Sequence, residues 1–516
     1  MPIRPTFYGF EMARTAMSAS QKNIDITGQN IANINTLGYS RQRVAMSSVG
    51  AGGINWRFAL HPAETVGLGV NVDSIKRVRD QFLDARFRKE LGDNSRLGVK
   101  LDILGYVESN IDEFIGDTGT LHSILTSFYD AFQDLNTNNT SEAEFMSMTR
   151  SAAEKLVTTS RVIANRISHI TEDSYGQLEF VAAEVSRLAK ALEDINIEIR
   201  NQFLLGGVSN ELLDKRDLYL DQLSAYGEVN IRPAFDSYDR ETGGINIYFG
   251  IFDEDSPDES LLVAGDRKYH ATLEITERGD DPVRLVWASG DNEGLDFITP
   301  TGEIMAYYEM LNGIGDVTRS GDPEMADFSS KGIPYFVNML NTFIAEFADV
   351  FNTLNIYMGD LFSANDGSAD ITAFNITISE EWMMDPAFIL RTLDGNTTPG
   401  AARNDNILRM IHALKEPREF VDANGTVYKG SFLEYVGSIN TEMALEISYN
   451  IRRKDTSDIN LLSIDMYRSS IMEVDSDEEA ANLMRFQKSY NAAVRFMTTL
   501  DEMLDVIINR MGIVGR

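Results

Sequence analysis

Apolar residues follow helical spacing at both ends and through the first half of the chain, and alternate with polar ones in the middle. In residues 7–34, Phe10, Ala13, Met17, Ser20, Ile24, Thr27, Ile31 and Ile34 stand at alternating steps of three and four. Six of these eight are apolar, which predicts a helix with a heptad seam. Turn residues at Asn33–Gly38 break it. Residues 49–72, rich in glycine and holding Trp56, read as loop or short strands. From 75 to 225 the chain reads as mostly helix: Leu97, Leu101, Leu104, Val107 and Ile111 recur at helical spacing, with breaks at Gly116–Gly119 and Asn136–Thr140. Leu178–Phe203 is the clearest amphipathic segment, with Val181, Val185, Leu188, Leu192, Ile195 and Ile199 on one face. Gly206-Gly207 should stop it, and Ser209 or Asn210 is placed to cap the next helix.

Residues 228–300 switch to a two-residue period at Ile245–Ile251, Tyr269–Thr276 and Val283–Trp287, separated by turn clusters, which predicts antiparallel strands. Helix returns at 334–358, residues 359–405 are mixed with a strand at Phe374–Ile378, and helix dominates from about 432 onward. The final segment is the most periodic. Leu483, Phe486, Tyr490, Ala493, Met497, Leu500, Leu504 and Ile507 alternate in steps of three and four, all apolar or aromatic. A 3.5-residue repeat held this long favours a coiled coil.

The expected fold class is mainly α with an inserted β-rich part: an α+β, multidomain chain. The expected division is a terminal coiled-coil domain (1–45 and 475–516), a helical bundle domain (46–227 and 432–474), and an outer β-rich region (228–431) holding the helix 334–358. Both terminal seams need partners, whether each other or copies in neighbouring subunits.

Composition narrows the chemistry. The chain of 516 residues carries a net charge of −33, which disfavours general nucleic-acid binding. The charge is uneven: residues 1–90 are net +5 and residues 228–440 net −23, as expected of a solvated acidic surface in the middle and a packed or partnered N-terminus. The absence of cysteine excludes disulfides, thiolate metal sites and cysteine nucleophiles, and suits a chain that crosses a redox boundary unfolded. No run is long and apolar enough to span a membrane, and the first residues lack the apolar core of a cleaved signal. His61, His122, His169, His270 and His412 are not at metal-ligand spacing, and no phosphate loop or nucleophile elbow occurs. The acidic run Asp253–Glu259 has Pro257 and Asp258 where a calcium loop needs a ligand and a glycine, so it reads as a solvated turn. No catalytic residue, cofactor or metal is expected.

Three segments carry a resemblance. Asn30–Gln42 (NIANINTLGYSRQ), with Asn30, Asn33, Gly38, Tyr39, Arg41 and Gln42, resembles the N-terminal signature of bacterial flagellar axial proteins, and its Gly-Tyr-Ser-Arg-Gln ending resembles the hook-associated protein 1 family in particular. Asn210–Ser224 (NELLDKRDLYLDQLS) is similar to an interior segment of that family. Asp477–Asn509, with Glu478 in its Asp-Glu-Glu start, is similar to its C-terminal segment, although Glu473-Val474 stands where a glycine-valine pair is usual. A weaker likeness lies at Asn404–Leu414.

The resemblance implies a structural subunit of the hook–filament junction, exported from the cytoplasm without a cleaved signal and assembled outside the cell into a ring. Its implied partners are copies of itself, the hook protein, a second junction protein and an export chaperone at the C-terminal region, with no nucleic acid and no membrane insertion. The implied subunit-interface residues are Phe10, Met17, Ile24 and Ile31 with Leu483, Phe486, Tyr490, Met497, Leu500, Leu504 and Ile507. Gly38 is expected to end the first helix in a left-handed conformation. Tyr39 should then pack, and Arg41 donate either to a neighbouring subunit or within its own chain. The alternatives are another axial protein of hook or rod type and a cytoplasmic coiled-coil adaptor; an enzyme with an acidic site is the weakest reading.

Overall fold

The computed structural model describes residues 8–49, 69–112, 120–137, 142–275, 282–315, 329–392, 404–421, 425 and 427–510. Trp56, His61 and the break at Gly116–Gly119 lie outside the described residues. The chain divides into two compact units, one of residues 1–87, 195–221 and 462–516, the other of residues 88–194 and 222–461.

The first unit is built on its terminal helices, α1 (Tyr8–Ala32) and α11 (Ser476–Asp505), which pack on each other. Strands β1 (Gln42–Ser48) and β2 (Val70–Arg77) pair antiparallel, with a bulge between Ala45 and Met46, and cover another side of α1. The contact is close: a Cβ on Gly69, at φ +104°, would meet Thr15 Oγ1 at 2.4 Å. The end of β2, residues 75–77, falls where helix was expected from residue 75, while its start lies in the stretch read as loop or short strands. Helix α2 (Gln81–Asp112) begins later because the Asp80 carboxylate accepts from the Phe82 and Leu83 amides, an N-cap between strand and helix. The 63-residue helix α4 (Glu142–Leu204) ends as the glycines demanded, with Gly206 at φ +95°, and is followed by α5 (Asn210–Tyr226).

In the second unit, α3 (Leu121–Thr137) and α7 (Ile333–Leu354) supply an aromatic core. Phe343, Phe347 and Phe351 line one face of α7, and Phe128, Phe132, Phe362, Trp382 and Phe432 close around them with neighbouring ring centroids 4.7–6.2 Å apart. Residues 229–297 form two three-stranded antiparallel sheets, one of β3 (Val229–Phe235), β4 (Glu241–Phe249) and β5 (Leu261–Val263), the other of β6 (Thr272–Ile275), β7 (Leu285–Ser289) and β8 (Asp296–Phe297). Phe249 stacks on Phe297 and Trp287 meets its edge, joining the two sheets. Helix α6 (Glu303–Asn312) precedes α7. The mixed stretch resolves into the pair β9 (Phe362–Ala364) and β10 (Ile376–Ile378), the short helix α8 (Glu380–Met384), helix α9 (Asp405–Lys415) and the hairpin β11 (Arg418–Val421)–β12 (Val427–Gly430). Helix α10 (Phe432–Met472) then leads to α11. The chain is mainly helical with small antiparallel sheets set into it, as its periodicities indicate. No helix among the described residues is long and apolar enough to cross a membrane.

Candidate functional site

The terminal helix pair sets the geometry of the first unit. On α11, Leu483, Phe486, Tyr490, Met497, Leu500 and Leu504 are half-buried and Ala493 is buried, while most residues between them are exposed. The covered stripe is the heptad seam, and α1 is what covers it: a Cβ on Gly9 would come within 2.8 Å of Leu500 Cδ1. On α1, Phe10, Met17, Ile24 and Ile31 are likewise half-buried, whereas the fully buried positions are small or polar: Ala13, Ala19, Ser20, Asn23, Thr27 and Asn30, with Ile26 the larger exception. Two expected seam positions leave the contact. Ile34 lies beyond the helix end at Ala32 and is exposed, and Ile507 is exposed on a terminal π-turn, Val506–Arg510, whose larger number of residues per turn changes the phase of the repeat.

Where α1 ends, the three signature segments meet. Asn33, just past the last helical residue Ala32, closes the last turn by donating its side-chain amide to the Gln29 carbonyl at 2.9 Å, so the helix ends before Asn33 and not at Gly38. Gly38 does adopt the left-handed conformation, at φ +77°, but in the turn that delivers Tyr39. The buried Tyr39 hydroxyl donates to Asn30 Oδ1 at 2.9 Å, and the Gln42 amide donates to the same oxygen at 3.0 Å. Asn30 Nδ2 donates to the Gln42 carbonyl at 3.0 Å and to Glu479 Oε2 at 3.2 Å. Arg41 Nε donates to Glu479 Oε1 at 2.8 Å, and its two terminal nitrogens grip both oxygens of Glu478 at 2.9 and 2.7 Å. Its backbone amide donates to the Met472 carbonyl at 2.8 Å. Asp475 caps α11 by accepting from the Asp477 and Glu478 amides. The start of the last helix is thus fastened to the end of the first by charge-assisted bonds. The Arg41 guanidinium holds the Glu478 carboxyl below its usual range. Burial, and then the carboxylates of Asp214, Glu211 and Glu479, push the Tyr39 phenol up to about 12.

The interior segment supplies the floor. Asp214, Asp217 and Asp221 stand at steps of three and four, hence on one face of α5. Asp214 accepts from the Ser40 amide at 3.2 Å and from Arg77 at 2.8 Å, and Asp217 from Arg77 at 2.7 Å and Arg79 at 3.1 Å. Arg79 and Arg468 share Asp84, and Arg468 also reaches Asp221. Glu211 accepts from Gln29 at 2.6 Å, and Asn210 donates to the Gln42 side chain at 2.9 Å. The Ser209 hydroxyl, then the Gln42 and Gln29 amides, hold the Glu211 carboxyl low.

All the signature residues Asn30, Asn33, Gly38, Tyr39, Arg41, Gln42 and Glu478 therefore lie in one cluster, and Arg41 finds its partners within its own chain. Sequence reasoning missed Glu479, Arg77, Arg79, Asp84 and Arg468, and the role of the α5 aspartates. The heptad step of those aspartates and the Arg-x-Arg at 77–79 were the available signals. The acidic turn at Asp253–Glu259 binds itself instead: Asp253 accepts from the Asp255 amide, and Arg232 pairs with Glu254. Among the described residues no group of three or more histidine, aspartate or glutamate side chains is arranged to hold a metal ion.

Comparison with known proteins places the chain. Residues 109–361 match the family model for the flagellar hook-associated protein FlgK helical domain. Residues 470–511 match the flagellar basal body rod FlgEFG protein C-terminal model, and residues 10–39 the flagella basal body rod protein model. Flagellar hook-associated protein 1 of Bacillus subtilis is 27% identical over 532 aligned residues, covering 99% of each chain. The Salmonella typhimurium protein of the same name is 26% identical over 226 residues, 42% of this chain and 38% of that one. The fold is similar to the flagellar hook junction protein FlgK from Burkholderia pseudomallei, with a TM-score of 0.54 at 10% identity, over 75% of this chain and all of that one.

Proposed function

The chain belongs to the flagellar hook-associated protein 1 family, and from that membership we infer that it is a structural subunit of the bacterial flagellum, at the junction of hook and filament. The observation that carries this reading is that one chain holds both terminal segments of the axial type and, between them, the helical domain of hook-associated proteins. The terminal segments alone would fit a hook or rod subunit; the interior domain and the end-to-end alignment with a hook-associated relative favour the junction.

In this role the terminal helix pair enters the axial wall, where the half-buried seam residues of α1 and α11 gain contacts from neighbouring copies that close a ring. The acidic stretch 228–431 stays in solvent, where its negative charge keeps subunits soluble before assembly. The ring meets the hook protein on one side and a second junction protein on the other. The chain leaves the cytoplasm unfolded without a cleaved signal, and an export chaperone holds the amphipathic C-terminal helix in a groove until then. It performs no catalysis.

Immunogold electron microscopy of intact flagella, with antibody against residues 228–400, tests the assignment. A single band of label at the hook–filament boundary is expected, and a deletion strain should carry hooks without filaments. Label along the whole hook would make it a hook-type subunit. No label on the organelle, with normal filaments in the deletion strain, would return the chain to a cytoplasmic adaptor.

A further inference from the structure

Helix α10 is inverted over residues 445–459. The side it turns to α2 is polar: Glu446 pairs with Lys100 at 3.0 Å, Lys454 donates to Asn94 at 3.1 Å, and Ser457 to Glu90 at 2.9 Å. Its apolar residues face outward instead. Leu445, Tyr449 and Ile459 are 59, 51 and 68% exposed. Leu445, Tyr449, Arg452, Thr456 and Ile459 step by four, three, four and three, so they form a second heptad stripe open to solvent. A surface helix normally points such a stripe at its core.

The stripe also carries a cluster of cations, with the exposed Asp455 and Asp458 following it. Residues Arg452-Arg453-Lys454 are the one run of three cations in a chain of net charge −33. Lys454 is spent on the α2 face, but Arg452 and Arg453 are exposed. Arg452 donates to Ser448, and Arg453 lies over the Tyr449 ring; both line an open cleft with Glu90 and Asp93 of α2, where Arg453 attracts Asp93, but neither guanidinium is within ion-pair distance of a carboxylate among the described residues. Copies this acidic repel each other, so a contact between them needs a local positive patch against a negative one.

The complementary patch is on α4 of the same unit. Glu172, Asp173 and Glu179 are exposed there around Phe180, itself 64% exposed. Resting on the ring-forming function inferred above, we propose that the α10 stripe of one copy docks on the Glu172–Phe180 face of the next copy. Tyr449 and Ile459 would pack near Phe180, and Arg452 and Arg453 face Glu172, Asp173 and Glu179. The two surfaces differ, so the contact is head-to-tail, the kind that closes rings.

The native chain has no cysteine, which makes crosslinking unambiguous. Y449C and F180C, each a single-cysteine full-length chain, are co-expressed in a strain lacking its own copy, and isolated flagella are oxidised mildly and blotted. A dimer band strong in the mixed strain and weak in either single strain is expected. Filaments that form normally with no mixed dimer, or with dimers from Y449C alone, overturn the proposal while leaving the junction function standing. Wild-type chain absent from flagella overturns both. Should the cysteine variants disturb assembly, charge reversal decides. R452E/R453E should lower the number of filaments per cell at least tenfold, and E172R/E179R in the same chain should restore it. Unaffected filaments in R452E/R453E, or loss without restoration, refute the pairing.

Discussion

Removing the Arg41 side chain should loosen the clasp far more than removing Glu478, although Glu478 makes more bonds to it. The reason is solvent. Glu478 is 55% exposed in its side chain, so its bidentate pair with Arg41 is worth about 0–1 kcal/mol. Glu479 is 3% exposed and Arg41 22%. Breaking a fully buried pair costs about 3–5 kcal/mol, because the remaining charge is stranded. Here Arg41 keeps some water, and Asn30 still donates to Glu479. Arg41→Ala should therefore destabilise the junction of α1 and α11 by about 2–4 kcal/mol, scaling the buried-pair cost down.

A chain of two units does not unfold in one step, so a global melting curve is the wrong readout. Hydrogen exchange by mass spectrometry on the full chain reads the site locally, through peptides covering 28–44 and 472–486. At about 1.4 kcal/mol per decade, the expected acceleration is about 30- to 700-fold for Arg41→Ala and below about fivefold for Glu478→Ala. Arg41→Lys should fall between, since an ammonium cannot span both carboxylates in fork geometry. Peptides from α3 and α7 in the other unit should not change. Equal effects of Arg41→Ala and Glu478→Ala, or less than threefold for Arg41→Ala, would refute the burial argument.

Three further outcomes are expected. Gly38→Ala should cost about 1–2 kcal/mol by the same exchange measurement, since φ is +77° there, whereas Gly28→Ala, inside α1 with open space at its Cβ, should be neutral or stabilise. The Tyr39 phenol is raised from 10 to about 12 in the fold, so its contribution is complete below pH 10 and is lost as pH rises through 12, about 2–3 kcal/mol in all; this alkaline loss should disappear in Tyr39→Phe. In purified, unassembled protein, amides of 480–505 should exchange faster than those of α7, because α7 buries Phe336, Phe343, Phe347 and Phe351 fully while the α11 seam is half-covered; slow exchange across 480–505 would refute it.

What could be read along the chain was whatever local spacing determines. The seams of α1 and α11, helix α7 with its phenylalanines seven, four and four apart, and the alternating strands of 229–297 each announce themselves within about two dozen residues. The strand pair β1–β2 did not. Its segments QRVAMSS and VNVDSIKR carry few large apolar residues, because one side rests on the small residues of α1 and the other on solvent. The clasp was legible only as a resemblance. Arg41 and its carboxylate partners stand 437 and 438 positions apart, and no periodicity joins them. The aspartates of α5 were hidden for a different reason: in a chain with 79 acidic residues, three more at helical spacing look like solvated surface until Arg77, Arg79 and Arg468 are placed over them.

The division of labour between seam and clasp follows from what each can distinguish. A seam repeating every seven residues adheres without reading register: slid by one heptad, about 10 Å along the axis, Leu483 would take the place of Tyr490, and apolar would still meet apolar. Its half-covered side chains then hold the helices together in several alignments of similar energy. The clasp separates them. Shifted by seven, the position of Glu479 would be filled by Phe486 or Met472, neither of which can accept the Asn30 amide or balance Arg41. An unpaired guanidinium and an unsatisfied buried amide would result, each costing more than a sliding seam could recover. Apolar contact thus supplies adhesion that neighbouring copies can add to, and a polar lock at one end fixes the alignment that those copies must share.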